Sequence, residues 1–228
     1  MFFCGGGKLL SIHIKDPAQQ AQGCVIWMHG LGADAADMMG VANELRSSPP
    51  LRHVFLDAPV RPVTLNNRMP MRAWYDILGM KLTDREDREG ILQSQETIAD
   101  VLKTQQAEGF TSDKIFLAGF SQGAAMALFT GLSNPDPLAG VIALSGYLPL
   151  AAEIRISHFQ KMPIFIGSGD YDPIVLPAWT ELSIEHLRQR GFEDVSRYRY
   201  PMEHSICLEE IRDLEQWINR VLIHKDSK

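Results

Sequence analysis

The 228-residue sequence is poor in several features that mark particular classes of protein. Its three cysteines, Cys4, Cys24 and Cys207, have no Cys-x-x-Cys spacing, which argues against a zinc site and favours the reducing cytoplasm. Its 22 Lys and Arg residues are outnumbered by 28 Asp and Glu residues, and the net charge of −6 argues against a nucleic-acid partner. No apolar run approaches the roughly 18 residues of a membrane-spanning helix, and the start has no charged leader typical of a signal peptide. We therefore expect a cytoplasmic protein without stable membrane insertion.

Short apolar runs alternate with helical patterns along most of the chain, and several of the runs are apolar on both faces. This alternation is typical of an α/β fold in which helices cover both faces of one mostly parallel central sheet. We expect residues 1–228 to form a single domain. The predicted strands are residues 24–28, 53–56, 114–118, 141–144, 163–166 and 196–200, and residues 8–14 are predicted as an edge strand, with antiparallel pairing as one option.

One long segment, residues 57–89, interrupts this alternation and contains no regular element that the sequence predicts. Loops of this length in a compact domain are usually functional or disordered. This segment carries Met69, Met71, Trp74 and Tyr75, which is more apolar surface than a solvated linker needs. Its charged end, residues 81–89, is interpreted as the solvated start of a helix.

The strongest local motif is Gly119-Phe120-Ser121-Gln122-Gly123, which lies between a predicted strand and a predicted helix. In this setting the serine is held above the sheet on a tight turn, and glycines are required because side chains would clash with the neighbouring strand and helix. The start of the following helix adds partial positive charge where an oxyanion would form. The motif predicts Ser121 as a catalytic nucleophile; a glycine-rich turn with an incidental serine is the alternative.

A nucleophilic serine needs a base, and the base needs an acid that orients it. His204 follows the last predicted strand, where an α/β sheet presents functional groups, whereas the other histidines have weaker contexts. The loop after the strand at residues 163–166 offers two candidate acids, Asp170 and Asp172. We prefer Asp172, and the residues alone leave Asp170 open as the alternative.

Two main-chain N–H groups are expected to bind the oxyanion. One is that of Gln122, which directly follows the nucleophile, and the other should come from the loop after an early strand. His29-Gly30-Leu31-Gly32 is such a loop, so the Leu31 N–H is the candidate second donor. We expect His29 to brace this loop, since no further metal ligands are suitably spaced around it.

These motifs, together with Met71-Arg72-Ala73-Trp74-Tyr75-Asp76-Ile77, resemble those of the acyl-protein thioesterase and bacterial carboxylesterase (phospholipase/carboxylesterase) family of α/β-hydrolases. The resemblance covers roughly residues 22–222. It implies an α/β-hydrolase fold, a catalytic triad of Ser121, Asp172 and His204, and an oxyanion hole formed by Leu31 and Gln122. It also implies that the stretch around Trp74 flanks an acyl pocket.

The sequence departs from the family pattern at three places. Ser168-Gly169 stands where the family often has His-Gly, Leu56-Asp57 stands where Phe-Pro is more usual, and Ala33-Asp34 follows the oxyanion loop. None of these departures involves the triad. We expect the first and second to affect the shape of the pocket.

The resulting functional hypothesis is a serine hydrolase that needs no metal or organic cofactor and cleaves short-to-medium acyl esters. Met71, Trp74 and Val175 are the predicted substrate-binding residues, because they would line an apolar acyl site. The alternatives are an acyl-protein thioesterase acting on lipidated proteins, a lysophospholipase and, in a different class, a non-catalytic binding module. The apolar loop around Trp74 could also pack against a second copy, so the sequence leaves a homodimer open.

Overall fold

The computed structural model describes residues 2–5, 8–46, 49–79, 85–154 and 161–226. The strands in these ranges are β1 (Phe2–Gly5), β2 (Lys8–Lys15), β3 (Gly23–Met28), β4 (Leu51–Asp57), β5 (Val60–Val63), β6 (Met69–Arg72), β7 (Ile115–Phe120), β8 (Gly140–Leu144), β9 (Ile164–Gly169) and β10 (Val195–Tyr200). The helices are α1 (Ala35–Glu44), α2 (Arg88–Ala107), α3 (Gln122–Ser133), α4 (Pro177–Gln189) and α5 (Leu208–Asp226). Each of the six strands predicted after residue 20 is confirmed to within three residues at either end.

Eight strands form the central sheet in the order β1-β2-β4-β3-β7-β8-β9-β10. β2 pairs antiparallel with both of its neighbours, and every pairing from β4 to β10 is parallel. The mostly parallel sheet is therefore confirmed, as is the antiparallel option for β2. The prediction that residues 8–14 form the edge was wrong, because Phe2–Gly5 pairs with β2 as a hairpin and occupies the edge itself.

Helices cover both faces of the sheet, and the side chains of β3 alternate between them. Cys24, Ile26 and Met28 are buried in a cluster with α2, α3 and α4, whereas Val25 and Trp27 are buried with α1 and α5. This alternation is the two-sided burial expected of a central strand in a parallel sheet. On α5, Ile211, Leu214, Ile218 and Val221 recur at three- and four-residue steps and are buried, whereas Leu208 at the first position of the helix is exposed.

The prediction that residues 57–89 contain no regular element was wrong. β5 and β6 pair antiparallel as a separate two-stranded sheet, closed by a turn in which Asn67 and Arg68 both have positive φ. Each strand has only four residues and the two prolines, Pro62 and Pro70, lie opposite one another, so neither strand shows the alternation by which strands are recognised. α2 begins at Arg88 in the predicted charged run, of which residues 81–84 lie outside the described ranges.

The parallel strands place their carboxyl ends at one edge of the sheet. The turns after β3, β7, β9 and β10 carry Leu31, Ser121, Asp172 and His204 respectively. Because this edge is where an α/β sheet presents functional groups, the topology brings residues together that are far apart in sequence. The candidate site lies at this edge.

Candidate active site

Ser121 occupies a strained turn between β7 and α3. Its φ of 54° and ψ of −117° are unusual for a residue with a side chain, and such strain is found at functional sites. The Ser121 N–H donates to the Leu144 carbonyl at 2.9 Å, and the Ser121 carbonyl accepts from the Ala125 N–H at 3.1 Å. These bonds to β8 and to the first turn of α3 hold the backbone in this conformation.

The two glycines of the motif lie where other atoms leave no room for a side chain. A Cβ on Gly119 would lie 2.3 Å from the Gly123 carbonyl carbon, inside the first turn of α3. A Cβ on Gly123 would lie 2.1 Å from the carbonyl oxygen of Met28, at the end of β3. A side chain at either position would therefore clash, as expected from the sequence. Because both residues are glycine, the strands and the helix can approach one another closely here.

His204 lies between the serine and a buried carboxylate. Its Nε2 is 2.9 Å from Ser121 Oγ, and its Nδ1 is 2.7 Å from Asp172 Oδ2. The Phe120 ring packs against the imidazole, with 4.8 Å between the ring centroids. If Nδ1 carries the proton and donates it to Asp172, Nε2 has a free lone pair that can accept the proton of the serine hydroxyl.

The Asp172 side chain is completely buried, yet both of its oxygens have hydrogen-bond partners. Oδ1 accepts from the N–H groups of Ile174 and Val175 at 2.8 and 2.9 Å, so Oδ2 is free to face the histidine. The alternative acid, Asp170, instead pairs with Arg199 at 2.6 Å on a more exposed surface. Of the two candidates, the structure brings only Asp172 to His204.

Two main-chain donors near the serine are unused. No hydrogen bond within the described ranges uses the N–H of Leu31 or of Gln122. Gln122 is the first residue of α3, where the N–H groups of a helix have no intrahelical acceptor and carry partial positive charge. Its side chain is occupied elsewhere, since Oε1 accepts from the Trp74 N–H and Nε2 donates to the Tyr75 carbonyl.

His29 links the Leu31 loop to its surroundings. Its Nδ1 is 2.7 Å from the Gly30 carbonyl, and its Nε2 accepts from the Ala58 N–H at 3.0 Å. Burial lowers the pKa of His29, which keeps it neutral, as an Nε2 acceptor requires. The indole N–H of Trp74 donates to the His29 carbonyl at 2.9 Å. These contacts agree with the expectation that His29 braces the loop.

A mostly apolar cavity of about 270 Å³ opens beside Ser121. Its walls come from the Leu31 loop, the segment after β6, the turn after β8, the Asp172 loop and α4. The lining residues are Leu31, Leu65, Tyr75, Ile77, Gly79, Ser121, Gln122, Tyr147, Pro173, Ile174, Val175, Leu176 and Trp179.

The structure places the three predicted substrate-binding residues differently. Val175 lines the cavity, but Met71 and Trp74 do not. Trp74 is completely buried beneath the wall, where it packs against His29 with 5.6 Å between ring centroids. Met71 lies on β6, with its sulfur 3.3 Å from the side-chain nitrogen of Asn66. Trp74 is therefore not part of the cavity surface but packs against His29, which precedes the Leu31 loop.

Three aromatic residues of the cavity wall, Tyr75, Tyr147 and Trp179, were not among the predicted substrate-binding residues. The hydroxyls of Tyr75 and Tyr147 lie 3.2 Å apart and join two walls, and Tyr147 packs edge-on against Trp179. Tyr75 lies within a predicted motif, but nothing in the sequence distinguishes it from Trp74 beside it. Tyr147 lies in the turn after β8, and Trp179 lies in the first turn of α4. Neither belongs to a recognisable motif.

Two features are absent from the described ranges. No three His, Cys, Asp or Glu side chains in these ranges are grouped so that they could hold a metal ion. None of the described helices combines the length and apolarity needed to cross a membrane.

Comparison with known proteins extends the similarity over nearly the whole chain. Residues 11–222 match the family model described as phospholipase/carboxylesterase. The chain is 38% identical over 217 residues to acyl-protein thioesterase 1 of Mycosarcoma maydis, an alignment that covers 87% of this chain and 90% of the relative. It is 34% identical over 215 residues to acyl-protein thioesterase 1 of Yarrowia lipolytica, covering 90% and 95% of the two chains.

A solved structure with a similar fold is that of acyl-protein thioesterase 2 from Zea mays. It superposes with a TM-score of 0.84 at 25% identity, covering 93% of this chain and 99% of the maize chain. The residues matched include the turns after β3, β7, β9 and β10, so the family similarity and the candidate site coincide in the same part of the fold.

Proposed function

The chain belongs to the phospholipase/carboxylesterase family of α/β-hydrolases and is a serine hydrolase of esters or thioesters; on that premise we propose that it transfers an acyl group to water through Ser121, His204 and Asp172. The observation that carries the proposal is the unbroken contact from Ser121 Oγ through the imidazole to a buried carboxylate, at 2.9 and 2.7 Å. This arrangement is what activation of a serine hydroxyl requires.

In the first step, His204 Nε2 takes the hydroxyl proton while Ser121 Oγ attacks the acyl carbon. Asp172 accepts a hydrogen bond from Nδ1 and stabilises the imidazolium that forms. The tetrahedral intermediate then collapses: the bond to the leaving oxygen or sulfur breaks, and that atom takes the proton from Nε2. The products of this step are an alcohol or thiol and an acyl ester on Ser121.

The Leu31 and Gln122 N–H groups donate hydrogen bonds to the carbonyl oxygen, on which negative charge develops. Neither donor has an acceptor among the residues that the structure describes, so neither must break a bond to them in order to act. A donor of this kind is worth on the order of 3 kcal/mol in the transition state. In the second step, His204 Nε2 removes a proton from water as the water oxygen attacks the acyl carbon. The bond from that carbon to Ser121 Oγ then breaks, Oγ takes the proton from Nε2, and the carboxylic acid leaves.

The cavity supports short-to-medium acyl chains as the substrate class. The cavity is mostly apolar, has a limited volume of about 270 Å³ and opens directly beside Ser121. A short or medium acyl chain bonded to the serine would lie against these apolar walls. Longer chains must leave part of their length on the exposed rim, where Ile174 and Leu176 lie.

The second candidate is an acyl-protein thioesterase, and the names of the relatives favour it. The same three residues can act on esters and thioesters, because both pass through a tetrahedral intermediate that expels an oxygen or a sulfur leaving group. A lysophospholipase uses the same chemistry. The leaving group therefore distinguishes these candidates, and small molecules or lipidated proteins are the partners that we propose.

The test is hydrolysis of p-nitrophenyl esters with two to sixteen carbons by the wild type and by Ser121→Ala, with butyryl and palmitoyl thioesters alongside. We expect turnover of the short and medium chains, a decline toward sixteen carbons, and no turnover by the variant. Turnover of palmitoyl thioester above all esters supports the thioesterase instead. An equal rate in wild type and variant contradicts the proposed nucleophile.

We further propose that the chain acts as a single domain in the cytoplasm, without nucleic-acid partners. The expectation of a homodimer came from an apolar surface around Trp74. The Trp74 side chain itself is completely buried, but the same loop exposes Val60, Leu65 and Met69. The homodimer stays a prediction.

A further inference from the structure

The loop that carries Leu31 is fixed by hydrogen bonds from two main-chain N–H groups that follow Leu31. Directly after Leu31, the Gly32 N–H donates to the carbonyl of Arg72 at 2.8 Å. Three residues later, the N–H of Ala35, the first residue of α1, donates to Oδ1 of Asp57 at 2.9 Å. One anchor is thus on β6 and the other at the end of β4.

The Asp57 carboxylate connects the two anchors, because it contacts both the Ala35 N–H and the Arg72 side chain. Its second oxygen, Oδ2, lies 3.4 Å from Nη2 of Arg72, whose Nη1 donates to the Ala58 carbonyl at 3.0 Å. The Asp57 side chain is only 8% exposed, whereas that of Arg72 is 36% exposed. A single buried carboxylate therefore joins the start of α1 to the strand whose carbonyl holds Gly32.

The charge of this carboxylate is maintained by its surroundings. Burial alone raises the pKa of Asp57, but the Ala35 N–H, the Arg72 guanidinium and His13 outweigh it and leave the pKa lowered. His13 Nε2 lies 3.4 Å from Oδ2. Asp57 is consequently an anion at neutral pH, as an ion pair with Arg72 requires.

We propose that Asp57 is a positioning residue for the oxyanion-binding loop. By joining the start of α1 to Arg72, it holds the Leu31 N–H where this group can donate a hydrogen bond to a developing oxyanion. The inference rests on the proposed function, in which Leu31 is an oxyanion donor. Asp57 does not line the cavity, so it acts through its two anchors and does not touch the substrate. Its loss should weaken binding of the transition state more than binding of the substrate.

The first test compares Asp57→Asn with the wild type in hydrolysis of p-nitrophenyl butyrate. Asparagine keeps an acceptor for Ala35 but cannot pair with Arg72 as an anion. Outright removal of an oxyanion donor costs about 10²- to 10³-fold in kcat, so displacement of one donor should lower kcat about tenfold and change KM less than about twofold. Asp16→Asn is the matched control, since Asp16 forms an exposed ion pair with Arg52 far from the site.

A kcat for Asp57→Asn within about twofold of that for Asp16→Asn overturns the proposal. So does an increase in KM at unchanged kcat, which would make Asp57 a determinant of substrate binding. Arg72→Met breaks the same ion pair without removing the Arg72 carbonyl, and it serves if Asp57→Asn does not fold. Because the two residues act through one link, the double variant should lose little more than either single variant.

Hydrogen exchange tests the positioning role without any turnover. We expect the Gly32 and Ala35 amides to exchange faster in Asp57→Asn, while the amides of α3 keep their wild-type rates. Unchanged exchange at both residues overturns the proposal. If the wild type hydrolyses no ester or thioester, the proposed function fails, and the exchange rates still decide whether Asp57 holds the loop.

Discussion

Replacement of Asp172 by asparagine should remove activity while sparing the fold. The buried N–H groups of Ile174 and Val175 both need the acceptor that Oδ1 now provides, and a buried donor without a partner costs about 1–3 kcal/mol. The asparagine carbonyl will therefore face these two N–H groups, and its NH₂ group will face His204. As an amide can only donate there, Nδ1 of His204 must become the acceptor.

The consequence for the histidine is a change of tautomer. Its proton moves to Nε2, the nitrogen that lies 2.9 Å from Ser121 Oγ, so the imidazole can no longer accept the hydroxyl proton. In serine hydrolases with this geometry, such a change lowers kcat about 10⁴-fold, equivalent to about 5 kcal/mol of transition-state stabilisation. Stability should change little, since both buried N–H groups keep an acceptor.

The assay pairs kcat for p-nitrophenyl butyrate with urea unfolding, and Asp172→Ala is the matched control. Alanine leaves the N–H groups of Ile174 and Val175 unpaired, so that variant should lose about 2–6 kcal/mol of stability as well as activity. If Asp172→Asn keeps more than a tenth of the wild-type kcat, Asp172 does not set the tautomer and the reasoning is refuted.

Two further predictions concern packing and pH. Gly123→Ala forces a Cβ to within 2.1 Å of the Met28 carbonyl oxygen and should sharply lower the melting temperature and the activity. The control Gly40→Ala places its Cβ in open space on α1 and should stabilise the protein by up to about 1 kcal/mol. Equal melting temperatures of the two variants would contradict this prediction. Burial lowers the pKa of His53 to about 4, so its contribution to stability is complete above pH 6.5 and is lost as pH falls toward 4. Between pH 7.5 and 4.5 the free energy of urea unfolding should fall by about 2–3 kcal/mol because of His53. This decrease should be absent from His53→Gln, which keeps an acceptor for the Trp27 N–H. An equal decrease in both proteins would rule out His53 as its source.

The sheet and the placement of the candidate site were predictable because local sequence determines the strands and the turn at Ser121 strongly. The central parallel strands β3, β7 and β8 are continuous apolar runs. The turn at Ser121 is constrained by glycines whose neighbours leave no space for a side chain. Once Ser121, Asp172 and His204 are each assigned to the turn after a parallel strand, the topology places them at one edge of the sheet. Their proximity thus follows from the order of elements.

The cavity was not predictable in the same way, because its walls come from segments that meet only in the folded chain. Ala73, Trp74 and Tyr75 are all buried, so no alternation of polar and apolar residues tells which of them faces the cavity. Tyr147 reaches Tyr75 from a turn 72 residues later in the chain. The hairpin of β5 and β6 was missed because its strands are too short and too rich in proline to show a pattern.

The central claim is that Ser121 is a nucleophile activated by His204, and covalent labelling with a fluorophosphonate tests it most directly. The reagent reacts with an activated serine hydroxyl, which displaces fluoride and forms a bond to phosphorus. Intact and peptide mass spectrometry should find one adduct per chain, on Ser121, and none on Ser121→Ala or His204→Ala. A wild-type protein that remains unlabelled, or one labelled at another residue, would contradict the account.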